Sequence, residues 1–357
     1  MKRRTKVRRR SRASAPFNTR IVTAVILATA VVAASVHFWN VSDSGGEAPT
    51  KPTSVTLRLS GTFGAKFAGE IVAARTKLFE RNGINVELKE RGEGIDSIAP
   101  VVSGADTFGV TDSIGFLMAR SKGQPIVAFA AGFLENSIVF YSLEKSGIRA
   151  PQDFFGKRVG RRANTDSALI YDALLKNAGL SRSQIRENAT ETDLDALLND
   201  RVDVIPGHIG QEGFLLRQKG VPYTVIRVSD YGIHVPDTVY FTTEKFALDR
   251  PSVVQRVLQA IIAGWSMVYA DTAKSIPLIV SAGKGLTPEQ VQFELAAQRD
   301  FVMPLSRRVA EYDEQQWKQL RAILTSARLM DGSVDLARAV NYDILKEAYR
   351  KPISFGN

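Results

Sequence analysis

At 357 residues the chain is long for one core and comfortable for two lobes. Hydrophobic residues at 44% and charged residues at 24% are ordinary globular values and exclude wholesale disorder. The net charge of +10 invites a nucleic-acid reading, but nine Lys and Arg and no acid fall within residues 1–20, leaving only +1 on everything after them. The basic balance belongs to a tail, so the body is not expected to bind nucleic acid. With no cysteine, disulfides, thiol nucleophiles, zinc-thiolate sites and a cysteine-linked lipid anchor are all excluded.

The tail, residues 1–20, precedes the uncharged run "IVTAVILATAVVAASVHFW", Ile21 to Trp39. A basic segment before such a run is an export signal or a membrane anchor. The run is close to the ~20 residues a helix needs to cross a bilayer core. Basic flanking residues place the N-terminal side in the cytoplasm, with Phe38 and Trp39 at the far interface. Cleavage after Ala34 or Ser35 is one outcome and an uncleaved anchor the other; the length favours the anchor. Residues 40–54, "NVSDSGGEAPTKPTS", form a polar linker.

The body begins near Val55. "VTLRLS" alternates as a strand, and "FAGEIVAARTKLFERNG" sets Phe67, Ile71, Val72, Leu78 and Phe79 close to one helical face before a glycine stop. "INVELKE" is a strand, "VSGADTFGVTDS" a short strand between turns, and "SIGFLMARSKG" a helix; "PIVAFAAGF" and "SIVFYSL" are strands. After "GIRAPQDFFG" the alternation restarts. "KRVG", "VDVIPG" and "YTVIRVSDYG" are strands, interleaved with the helices "DSALIYDALLKNAG", "TDLDALLNDR" and "QEGFLLRQKG". "DTVYFTT" then leads into helices with no strands between them, from "DRPSVVQRVLQAIIAGWSMVYAD" to "DLARAVNYDILKEAYR". Such alternation predicts α/β lobes with mostly parallel sheets. Residues 55–140 supply the first part of lobe 1, 141–240 lobe 2, and 241–357 the return to lobe 1. Crossings near Ile138–Leu143 and Val239–Thr243 make a hinge, and the ligand pocket of such a fold lies between the lobes at strand ends and helix starts.

In this order, "SGADTFGVTDS", "ARSKGQPIVAFAA", "SGIRAPQDFFGKRVG", "LLNDRVDVIPG", "SDYGIHVPD" and "RPSVVQRVLQAIIAGW" resemble bacterial ABC-transporter solute-binding proteins. The nearer branch captures pyrimidine precursors of thiamin; nitrate, sulfonate and riboflavin binders are more distant. The resemblance covers most of residues 55–305. It implies a two-lobed periplasmic-binding-protein fold of type II, preceded here by the signal or anchor helix. A monomer would bind one small-molecule solute and present it to ABC permease and ATPase subunits, in the periplasm or on the periplasmic face of the cytoplasmic membrane, tethered through residues 21–39. No cofactor is implied.

Site residues follow from the resemblance and from local chemistry. In the thiamin-precursor branch a glutamate after the strand equivalent to "VDVIPG" bonds a pyrimidine ring. Glu212 stands there, with Gln211 before it and His208 where an aromatic is often found. A carboxylate there can accept paired N–H bonds from an aminopyrimidine-like ring, or simply favour a helix start through the dipole. Asn164, Thr165, Asp166 and Ser167 enter a helix, and serve as plain caps, as a ligand-oxygen site, or both. Thr111, Asp112 and Ser113 are the same device on the first lobe. Phe63 offers ring stacking and Lys66 an anion contact, while Tyr231 and His234 fall near the second crossing.

Other classes find less support. His208, His234, Glu212 and Asp237 lack the spacing of a metal motif, so no metal is expected. No phosphate loop or GxSxG elbow occurs. The eukaryotic relative that makes the thiamin pyrimidine depends on a cysteine-rich iron site, which this chain cannot build, so an enzyme is not expected. The alternatives are a membrane-tethered ligand sensor acting through a partner, or a binder of nitrate- or sulfonate-type anions.

Overall fold

The computed structural model describes residues 51–350 apart from Glu93, Ile95 and Gly332. The basic tail, the Ile21–Trp39 segment and most of the linker lie outside the described residues. By contacts, the chain from Pro52 onward forms one compact unit.

Two five-stranded sheets organise that unit. The first holds β1 (Thr53–Arg58), β2 (Ile84–Lys89), β3 (Phe108–Asp112), β4 (Ile126–Ala131) and β10 (Thr238–Thr243), in the order β2-β1-β3-β10-β4. The second holds β5 (Ile138–Leu143), β6 (Arg158–Gly160), β7 (Arg186–Asn188), β8 (Val204–His208) and β9 (Tyr223–Arg227), in the order β7-β6-β8-β5-β9. Both sheets follow one plan. In each, the strand entering from the other sheet runs antiparallel to its two neighbours, β10 beside β3 and β4, β5 beside β8 and β9. The sheets are therefore mixed rather than mostly parallel. A chain that changes sheets arrives from the far end, and local periodicity carries no trace of that reversal.

The chain passes between sheets at residues 132–137 and 228–237, just ahead of the crossings expected from the sequence. The apolar runs assigned to the crossings are the strands that follow them, buried along their length. The two crossings are stitched together: the Phe133 N–H donates to Thr238 Oγ1 at 2.9 Å and the Gly132 N–H to the Thr238 carbonyl at 2.7 Å.

Seven helices bear on the cleft and its support: α1 (Ala68–Arg75), α2 (Ser113–Ser121), α3 (Asp166–Asn177), α4 (Gln211–Gln218), α5 (Pro251–Ala270), α6 (Pro288–Val302) and α7 (Glu314–Ser326). The segment read as one helix from Phe67 to Gly83 is broken. Lys77 takes a left-handed φ of 62° between α1 and a short helix at Leu78–Arg81. Helix α5 is apolar and long enough to cross a membrane, yet two thirds of it is buried in this fold, packed on α1. Their approach requires glycine on both sides. A Cβ on Gly264 would stand 2.0 Å from the Gly69 carbonyl oxygen, and one on Gly69 would stand 2.2 Å from the Trp265 ring.

The returning helices span both lobes. Helix α6 packs on the Ala65–Phe67 turn of the first and on α4 of the second, where Phe293 meets Phe214. Helix α7 touches α2 and α3, and Gln319 on it accepts from the His234 N–H while donating to the Gly232 carbonyl.

Candidate ligand-binding cleft

The strand "VDVIPG" does not stop at its proline. Strand β8 continues through Pro206 and Gly207 to His208, which pairs with Ile138. Its pairing with β6 is confined to Val204, so the flank beyond is open and a residue without an N–H is tolerated at 206. His208 is thereby carried to the edge of a cavity of about 600 Å³ between the two sheets.

Both lobes line this cavity, and so do the crossings. From the first lobe come Lys66, Thr111, Asp112 and Ser113; from the second, Thr165, Asp166, Ser167, His208 and Glu212. Asp112 ends β3 and caps α2, its carboxylate accepting from the Gly115 N–H. Ser113 anchors the same helix start to the second crossing, its N–H donating to the Asp237 carbonyl at 2.7 Å. Thr165 caps α3, accepting from the Ala168 N–H at 3.2 Å, and still faces the cavity. Capping and lining coexist at both helix starts.

Glu212 folds back over Gly207 and accepts from the His208 N–H at 2.9 Å. Burial raises its pKa above the usual carboxylate value, while its own N–H and His208 pull it back. Burial also raises Asp112, with Asp237 adding repulsion and Lys66 opposing it. Asp166 is raised to about 6 by loss of solvent and by the like charges of Asp112 and Asp237. Asp166 is exposed to the open cavity.

Five residues expected in the site do not line the cavity. Phe63 borders a separate small cavity with Ile71 and Val86, its N–H held by Glu90 Oε1 at 2.6 Å. Tyr231 sits in a turn after β9, its carbonyl accepting from Asn177 Nδ2 at 2.9 Å. His234 is exposed, with Nδ1 3.3 Å from Glu135 Oε2. Gln211 is exposed at the α4 start and does not line the cavity. Asn164, in a left-handed turn with φ 61°, is exposed beside the cavity without lining it. The set His208, His234, Glu212 and Asp237 is therefore not assembled. Among the described residues no three His, Asp or Glu are spaced to share a metal ion.

Asn136 and Asp237, one from each crossing, line the cavity and were not anticipated as ligand contacts. Ser137 lies just behind the lining. Its hydroxyl donates to Asp237 Oδ2 and lies 3.1 Å from His208 Nδ1. Since the hydroxyl's one proton goes to Asp237, Nδ1 must carry the proton of the neutral ring, leaving Nε2 as an acceptor. Among the described residues lining the cavity there is no Phe, Tyr or Trp. Phe63, the stacking candidate, is thus not among the described lining residues, and polar groups predominate there.

A family model described as NMT1/THI5 like matches residues 65–275. The chain belongs to the NMT1/THI5-like family. The matched span contains every lining residue from Lys66 to Asp237. Within the curated proteins, the chain is 23% identical over 301 residues to the riboflavin-binding protein RibY of Chloroflexus aurantiacus, covering 80% of this chain and 84% of that one. It is 24% identical over 234 residues to the 4-amino-5-hydroxymethyl-2-methylpyrimidine phosphate synthase of Legionella pneumophila, covering 64% and 73% respectively. Of solved structures, the periplasmic aliphatic sulphonate binding protein SsuA of Escherichia coli superposes with a TM-score of 0.66 at 16% identity, over 86% of this chain and 94% of that one. The NMT1/THI5-like chain thus has the two-lobed periplasmic-binding-protein fold that its strand order describes.

Proposed function

We propose that this chain is the extracytoplasmic solute-binding component of an ABC importer, capturing a small nitrogen-bearing heteroaromatic solute between two hinged lobes. The observation that carries the reading is the cavity itself, lined by both lobes and both crossings, the arrangement expected where closure buries a ligand. Membership of a family whose relatives include a riboflavin-binding protein supports a nitrogen heterocycle. The acceptor groups of Glu212, Asp166, Asp112 and His208 support a solute rich in N–H donors. The same carboxylates argue against nitrate or a sulfonate.

The partners in this reading are a permease and an ATPase, with residues 21–39 holding the chain at the membrane and a single copy sufficient to bind. No chemical step is assigned. The order Asp237–Ser137–His208 supports a binding role, because a nucleophilic serine would need the imidazole to take its proton and a carboxylate to orient the imidazole. Here the serine's proton is committed to the carboxylate.

Thermal-shift screening of the full chain against pyrimidines, flavins, sulfonates and nitrate tests the proposal. A pyrimidine or flavin should raise Tm most; stabilisation by an inorganic anion alone would contradict it.

A further inference from the structure

Taking the cavity as the ligand site, we propose that it selects for positive charge: the solute binds as an amidinium-type cation whose N–H groups engage Asp112 of the first lobe and Asp166 of the second. The lining carries five carboxylates, Asp96, Asp112, Asp166, Glu212 and Asp237, against three cationic side chains. Two of those cations, Arg91 and Arg162, are exposed at the rim, which leaves Lys66 as the half-buried one. Among the described residues, no ion pair joins Lys66 or any other cation to Asp112, Asp166, Glu212 or Asp237. Elsewhere in the same lobe a buried carboxylate is neutralised at once: Asp106 is held by both Arg58 and Lys89. Asp237 is buried, Asp112 and Glu212 are half-buried and Asp166 is exposed to the open cleft. An unpaired charge is costly once it loses solvent, so closing the cleft over these four implies a partner that arrives from outside.

Individual atoms point the same way. Asp237 is only 6% exposed; Ser137 holds its Oδ2, and its Oδ1 has no hydrogen-bond partner among the described residues. Thr111, also 6% exposed, lines the cavity, and its hydroxyl has no hydrogen-bond partner among the described residues. His208 lines the cavity, with Nε2 left as its acceptor once Nδ1 faces Ser137. A cavity of acceptors without an aromatic wall holds a ligand by charge-assisted hydrogen bonds, and a planar amidinium presents paired N–H donors to a carboxylate.

The arrangement also couples binding to closure. Asp112 and Asp166 stand on different lobes and repel across the cleft, raising the pKa of Asp166. Bringing the lobes together without a cation strengthens that repulsion; a cation between them reverses its sign.

The test is calorimetric titration of the full chain with charge-matched probes: benzamidine and agmatine as cations, benzamide and uracil as neutral compounds, benzoate and benzenesulfonate as anions. The cations should bind at least tenfold more tightly than their neutral counterparts. Asp166→Asn, an exposed helix-start change that spares the fold, should erase at least tenfold of the preference. If a neutral or anionic probe binds as well as the cations, or if Asp166→Asn leaves the preference intact, charge selection is wrong while solute binding stands. Binding of no probe would overturn both.

Discussion

The Glu212 carboxylate lies so close over Gly207 that a Cβ at 207 would stand 2.7 Å from both Glu212 Cδ and Oε2. Strand and helix are thereby locked together at the cavity wall, because the same carboxylate accepts from the His208 N–H. Glycine at 207 provides space for a carboxylate rather than freedom for a turn. Gly207→Ala should displace the flexible end of Glu212 at a small cost in apo stability, on the order of 1 kcal/mol. Ligand-induced stabilisation should fall much further. Denaturation with and without a stabilising ligand separates the two, and equal losses would mean that Glu212 serves the fold alone.

Glu212→Gln sharpens that distinction. The amide keeps an oxygen for the His208 N–H but removes the charge, so apo stability should stay within about 0.5 kcal/mol of wild type. Glu212→Ala removes the acceptor as well and should cost about 1 kcal/mol. Both variants should lose at least tenfold in ligand affinity by calorimetry. Wild-type affinity in the Gln variant would remove charge from the role of Glu212.

Much of this site is legible in the sequence. Asp112 and Thr165 declare themselves as polar residues at strand-to-helix junctions, and both cap and line. His208 and Glu212 stand out because they follow an apolar strand. Asp237 and Asn136 do not, since each sits on a crossing whose direction depends on the packing of two sheets. Phe63 and Tyr231 were drawn into the expected site by resemblance and by proximity to the hinge. Packing sends one to a neighbouring cavity and the other to a turn, and neither outcome leaves a local signature.

Ser137 sets the tautomer of His208 from behind the lining. Being 4% exposed and bonded to Asp237, it leaves Nδ1 of the neutral ring protonated. Nitrogen chemical shifts of His208 should report the Nδ1–H form above the pH of ring protonation, and Ser137→Ala should release the ring to a mixture at a cost of about 1–3 kcal/mol. A wild-type ring carrying its proton on Nε2 would contradict the assignment.

Glu70 on α1 provides a test of the first lobe's core. It is 1% exposed, with Oε1 accepting from the Tyr240 hydroxyl at 2.8 Å and Oε2 without a partner among the described residues. Burial raises its pKa from 4.5 to about 7, opposed by Tyr240. A raised folded-state pKa contributes stability that is complete below about 4.5 and is lost as pH rises through 7. Glu70→Gln does not titrate at this position. The stability of wild type relative to the variant should therefore fall by roughly 2–3 kcal/mol between pH 5 and pH 8. Parallel pH profiles from chemical denaturation would show that Glu70 is not held neutral by burial.

Closure of the two lobes on a solute is the central claim, and the absence of native cysteine makes it directly measurable. Spin labels at Thr62→Cys and Ala163→Cys, exposed positions flanking the cavity on opposite lobes, report the width of its mouth by pulsed electron resonance. The distance should shorten and its distribution narrow when the compound that most raises Tm is added at saturation. An unchanged distance with that compound bound would contradict capture by closure.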